Sequence, residues 1–254
     1  MNKTWWRYGL IGAGLYLAFL VLTVPASRVY PMLQAKLGTL SLQDIHGTLW
    51  RGTASSARVA GQRLDSLSWD VQLLPLLLLR AQAELDFRND AGPGHLVATR
   101  GLTGAVYFDD IKAGLSADTL TALLNIPGVK VGGQFDLDVS ELSIDGHYLS
   151  FASGQMNWRQ AAMMQPWQLN LGDLQGTLET TKAGIQLTIT DKGGALQANS
   201  VLVLKPDGEY QFTGTFASRD PRQPELERVL RFLGQPGPDG RILIAKTGRV
   251  PPVR

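Results

Sequence analysis

The chain of 254 residues carries 24 Lys and Arg against 22 Asp and Glu, three His and no Cys. Without Cys it has no thiolate nucleophile, no Cys-ligated zinc, no iron–sulfur cluster and no disulfide to support its fold. Charges this closely balanced leave no global basic footprint for nucleic acid.

Between Arg7 and Arg28 no residue is charged. At 1.5 Å per residue, such a run of about 20 residues spans roughly 30 Å as a helix, the thickness of a bilayer's hydrocarbon core. It predicts a cytoplasmic start over 1–7 and a transmembrane anchor over 8–27. Leu15, Phe19 and Leu22 belong to the apolar span, Arg7 and Arg28 flank it, and Trp5 and Trp6 suit an interfacial belt. No acid precedes Asp44, so the positive-inside rule keeps the N-terminus cytoplasmic and sends 28–254 across the membrane. Two rival readings stand beside this one. A cleaved signal peptide has a similar layout, with Val24-Pro25-Ala26 as a loose cleavage site, and a buried core helix is the third. The spacings Gly9/Ala13 and Gly14/Ala18 would let another helix approach closely, or reflect only that small residues are common in membrane helices.

Ser27–Leu37 has helical spacing in Val29, Leu33 and Leu37, with Gly38 as a stop. Thereafter the period becomes two. Leu67, Trp69 and Val71 alternate with Ser68, Asp70 and Gln72; Ala81, Ala83, Leu85 and Phe87 alternate with Gln82, Glu84, Asp86 and Arg88. Phe135–Ser140 and Ile185–Thr190 repeat the pattern, so each is a strand with one apolar and one wet face. Lys205-Pro-Asp-Gly208 joins Leu196–Leu204 to Glu209–Phe216 as a hairpin, and 181–184 and 191–194 are two more tight turns. Leu74-Pro-Leu-Leu-Leu-Leu79 breaks the alternation: it reads as a strand buried on both faces, or as a patch facing lipid or a partner. Two short helices are expected, from Ser116 to Leu124 with stripe Leu120, Leu123 and Leu124, and from Pro224 to Leu233 with face Leu226, Val229, Leu230 and Leu233. Arg241–Lys246 is a last strand and 250–254 a tail. The fold class is therefore mainly β: an N-terminal transmembrane helix, then a curled antiparallel sheet, a meander forming an open groove or a sandwich, with two short helices.

Catalytic constellations are scarce. Asp44 and His46 share a strand face without a nucleophile nearby, and His95 and His147 fall where turns are expected. No Walker loop, nucleophile elbow or His-Glu-x-x-His is present. Asp136, Asp138 and Asp145 lack the loop of a calcium site and belong to wet strand faces. No enzyme activity and no cofactor is expected.

The most distinctive stretch is Gly47-Thr-Leu-Trp50-Arg51-Gly52, followed by Trp69. Two Trp on early strands are either core anchors or an exposed Trp–Arg recognition patch, with Gly47 and Gly52 at bends. In order along the chain come this element, the Leu-rich run, Leu-Thr-Ala-Leu-Leu124 and Val131-Gly-Gly-Gln-Phe-Asp-Leu137. Gly154-Gln-Met-Asn-Trp158, Leu171-Gly-Asp-Leu174, the 193–216 hairpin and Gly240-Arg-Ile-Leu243 complete the series. The ordered set resembles protein N of the bacterial type II secretion system. The resemblance implies a single-pass inner-membrane protein with a periplasmic β domain over 28–254, assisting export of folded proteins from the periplasm across the outer membrane. Its partners would be other inner-membrane and periplasmic components of the apparatus, together with membrane lipid. The alternative is a periplasmic groove protein that binds or transfers lipid near the inner membrane.

Overall fold

The computed structural model describes residues 5–34, 40–59, 62–101, 104–124, 128, 130–146, 148–220 and 223–250. Leu37, Gly38, His147, the stop at 125–127 and the tail beyond Val250 lie outside them. So do the side chains of Trp5, Trp6, Arg7, Leu120, Leu123 and Leu124.

Helix α1 (Trp5–Thr23) runs for 19 residues, then breaks at Val24 and Pro25, where Pro25 is extended, and the chain resumes as α2 (Ala26–Leu33). The described apolar side chains of α1 are exposed, with Leu15, Phe19 and Leu22 at 67%, 62% and 48%. Among the described residues no helix is long and apolar enough to cross a membrane.

The rest is one sheet. Its strands are β1 (Ser41–Gly47), β2 (Arg51–Val59), β3 (Gln62–Leu64), β4 (Ser66–Gln72), β5 (Ala81–Asn89), β6 (Gly92–Arg100) and β7 (Val106–Ser116). They continue as β8 (Lys130–Asp145), β9 (Tyr148–Gln165), β10 (Leu169–Thr181), β11 (Gly184–Asp191), β12 (Leu196–Leu204), β13 (Glu209–Ser218) and β14 (Ile242–Arg249). Each pairs antiparallel with its neighbours in sequence, save that β3 pairs only β2 and β4 takes the next place. The path ends at β1 and β14, so the sheet is an open meander rather than a sandwich.

Register aligns the apolar residues into ladders on one face. Leu67, Trp69 and Val71 oppose Phe87, Leu85 and Ala83; Leu137 opposes Met156; Leu187, Leu202 and Phe212 follow one another. Burying this face against water's alternative is the main driving force, at about 25 cal/mol per Å2. Two buried clusters result. One, around Ala161, Leu169, Leu174, Leu196 and Ile242, lies under α5 (Pro224–Leu233), which inserts Leu226, Val229 and Leu230. The other, Ala54, Ala57 and Leu67, lies between the first strands.

The Ser116 helix is found as α4 (Ala117–Leu124), with Ser116 Oγ accepting from the Thr119 N–H. Three expectations need correction. The helical spacing after Ser27 is found as α2, but among the described residues three short helices, not two, interrupt the strands, because the Leu-rich run is neither a strand nor buried. It forms α3 (Leu73–Leu77), with Leu74 and Leu78 at 78% and 76% exposed. Leu favours helix, and Pro75 falls in the first turn, where its missing N–H has no helical partner to lose. Leu233 is half exposed, since the buried stripe of α5 ends with Leu230. His95 lies within β6, not in a turn: the tight turn precedes Gly92 and the strand starts earlier than Gly-Pro-Gly suggested.

Candidate functional site: an apolar groove, a sheet edge and the helix–sheet junction

The stretch Gly47–Gly52 is the turn between β1 and β2, so Trp50 sits in a turn and not on a strand. Gly47 and Gly52 pair across it, and Gly47 has φ of 90°, a conformation that suits Gly. Gly52 is needed for another reason: any Cβ there would collide with the Trp69 ring, which lies across it. The two indoles hold the turn. Trp69 Nε1 donates to the Leu49 carbonyl at 3.2 Å, and Trp50 Nε1 donates to the Val21 carbonyl of α1 at 2.8 Å. The Leu49 N–H adds a bond to the Val24 carbonyl at 2.9 Å. Carbonyls at a helix end have no partner within the helix, so this turn acts as the C-terminal cap of α1. Arg51 reaches across from β2 to Asp70 of β4, with Nε at 2.8 Å from Oδ2. Trp50 thus joins helix to sheet.

An apolar groove of about 400 Å3 opens on the sheet's apolar face toward the rim opposite this joint, where β2 turns into β3 and β5 into β6. Leu64, Leu67, Leu85, Phe87, Leu96 and Leu115 line it, and Arg63, Asp90, Ser116 and Thr119 stand at its rim. The floor is low because Phe87 lies over Gly94, where any Cβ would strike the ring. Alternation identified the apolar face, but the groove itself was not legible: it opens at the second buried cluster, with which it shares Leu64, Leu67 and Phe87.

The two sheet edges differ. Beside β1 runs α2, whose Tyr30 hydroxyl accepts the Leu42 N–H at 2.8 Å, while Pro25 bridges to Thr48. On the other side β14 pairs with β13 and packs Ile242 under α5, and among the described residues no strand pairs along its outer edge beyond the bridge from Ile242 to Pro236. Edge backbone of this kind is a template for an added strand. Trp158, the last expected contact residue, faces inward: it stacks on Phe135 at 4.8 Å and donates to the Gly132 carbonyl at 2.9 Å.

The wet face carries ion pairs. His95 Nδ1 lies 2.7 Å from Asp86 and His95 Nε2 lies 3.8 Å from Asp110, which also binds Lys112. The hydrogen bond from Lys112 holds the Asp110 carboxyl below its ordinary pKa and raises the lysine's. These groups are exposed, so the pairs add little to stability. Asp136 pairs with Arg159, as a strand-face acid would. Asp191 is more enclosed. Burial pushes its pKa up, but hydrogen bonds from the Ala198 N–H, Arg219 and the Gly193 N–H outweigh that and leave it lowered. Among the described residues no group of three or more acids or histidines converges as a metal site, and no bond joins Asp44 to His46.

Residues 38–245 match the family model described as type II secretion system protein N. The chain belongs to the type II secretion system protein N family. A protein of that name from Vibrio cholerae is 30% identical over 96% of this chain and 98% of its own length. The Aeromonas hydrophila protein N is 28% identical, covering 92% and 94%, and that of Klebsiella pneumoniae is 29% identical, covering 92% of each. No solved structure matches. The family match takes in the Gly47–Gly52 joint, the groove and nearly all of the sheet, from before β1 into β14.

Proposed function

We propose that the chain is a non-enzymatic, inner-membrane component of the type II secretion system. It assists export of folded proteins across the outer membrane by presenting its sheet to other components of the apparatus from the periplasmic side. The observation that carries this is the asymmetry of the sheet's edges: α2 lies beside β1, and among the described residues no strand pairs beyond β14. Strand addition at β14 would supply affinity through backbone hydrogen bonds without a preformed pocket. The anchor reading rests on the uncharged run between Arg7 and Arg28 and on the exposed apolar side chains of α1, whose end is held by the cap from Trp50. A span over 8–27, with Lys3 and Arg7 before it, would keep the N-terminus cytoplasmic.

A second reading is favoured by the groove: its leucines and Phe87 suit an acyl chain, making the sheet a carrier of lipid beside the membrane. One protein tests both readings. Residues 1–27 are replaced with a cleavable signal peptide, and the released sheet is the only copy in secreting cells. The expected result is a protein that leaves the inner membrane on washing, with at least a tenfold loss of exoprotein from the medium. Full secretion by the released sheet would contradict the anchored role. Phospholipid recovered near one per chain from the same protein, purified without detergent, would carry the second reading instead.

A further inference from the structure

We propose that α3 is a second membrane contact, an interfacial patch that dips into the lipid surface beside the end of α1 and fixes the tilt of the sheet on the bilayer. This rests on the reading of α1 as the anchor. Leu74, Leu78 and Leu79 are 78%, 76% and 62% exposed, and Leu73 38%. Four leucines in one short segment make an apolar surface that a monomer in water rarely presents.

Its place in the fold says what covers it. The Val71 N–H donates to the Trp50 carbonyl at 2.6 Å, and the Trp50 indole donates to Val21 in the last turns of α1. Helix α3 starts two residues beyond Val71, roughly 7 Å of extended chain away. In an antiparallel meander the β1–β2, β4–β5 and β6–β7 connections fall on one rim, so α3 and the end of α1 share that rim. A five-residue helix is too short to span and must lie along the surface.

The charges beside it suit a lipid headgroup layer. Arg80 directly follows the leucines and Arg100 pairs opposite Ala81; both are exposed, and neither has an acidic partner among the described residues. Tyr107 is 40% exposed and lines, with Leu78 and Arg80, a hollow of about 740 Å3. Asp109 is the acid in that hollow, and Asp70 nearby is held by Arg51. Apolar side chains below, an aromatic at the boundary and cations at phosphate level are the arrangement of an interfacial contact.

The absence of Cys allows single-site labelling of the full chain. A bimane is placed at Leu15→Cys in α1, at Leu78→Cys in α3 and at the exposed Glu225→Cys in α5, and each protein is reconstituted into vesicles of phosphatidylethanolamine with a minority of phosphatidylglycerol. Doxyl-labelled lipid then reports contact with the bilayer. Quenching at position 78 that is several-fold above that at position 225 is expected, approaching the value at 15. Quenching at 15 with none at 78 beyond the level at 225 would overturn the proposal and leave the anchor intact. An unquenched probe at 15 would overturn the anchor reading and the second contact with it.

Discussion

Gly172→Ala is expected to destabilise the protein by about 4 kcal/mol or more, a large share of the 5–15 kcal/mol that holds a typical domain together. Two costs combine. Gly172 has φ of 89°, where a residue with a Cβ is strained by about 1–2 kcal/mol. The added methyl would also be driven into Gly194 Cα, and backbone there cannot rotate aside as a side chain would. The crossing is symmetrical, since a Cβ on Gly194 would lie 2.5 Å from the Leu171 carbonyl oxygen. Around this point the register of β9 with β10 shifts, and the ladder is completed by Asp173: its carboxylate accepts the Gln160 N–H at 2.7 Å and its carbonyl the Lys192 N–H at 2.8 Å. Pushing residues 192–195 outward would break that link and lift Leu196 from the cluster under α5. Urea unfolding of the full chain in detergent micelles, followed by tryptophan fluorescence, measures it. A loss below about 1 kcal/mol would mean that the two strands do not meet as closely as described.

Trp158→Ala is the second large effect, expected at about 3–4 kcal/mol. The ring contributes area, its stack on Phe135 and a hydrogen bond to Gly132, so truncation leaves a cavity and an unpaired carbonyl together. Trp158→Phe separates these contributions: it keeps an aromatic on Phe135 and loses only the N–H, for about 1 kcal/mol. The same unfolding experiment checks both, and equal losses in the two variants would assign the whole effect to the hydrogen bond.

Much of the sheet is legible in the residues because alternation and burial express the same constraint. The run from Ala81 to Arg88 is β5 within a residue, and Lys205–Gly208 turns β12 into β13 as Pro-Asp-Gly dictates. Helix α5 is equally plain, with Pro224 at its start and Gly234 at its end. Uniform stretches gave less. Leucines at 74 and 76–79 carry no period, and whether they become a doubly buried strand or an exposed helix depends on what lies over them, which is a property of the whole sheet. Trp50 shows the same limit from another side. Its neighbours Gly47 and Gly52 announce a sharp feature, but a tryptophan in a turn capping a helix 29 residues earlier is fixed by a long-range bond that no local pattern encodes. His95 was misplaced because Gly-Pro-Gly serves as well at the start of a strand as in a turn. Openness was beyond the residues altogether, since every strand in a meander reads alike and only the pairing of β1 and β14 separates a closed sheet from an open one.

The most direct measurement is photo-crosslinking from the free edge in intact secreting cells. A photoreactive amino acid replaces Ala245, exposed on β14, with the exposed Glu179 of β10, within the sheet, as the reference position. The expected result is a defined adduct between position 245 and another component of the secretion apparatus, absent from position 179. A stable, membrane-located protein that gives no such adduct from 245 would contradict the role assigned to the open edge.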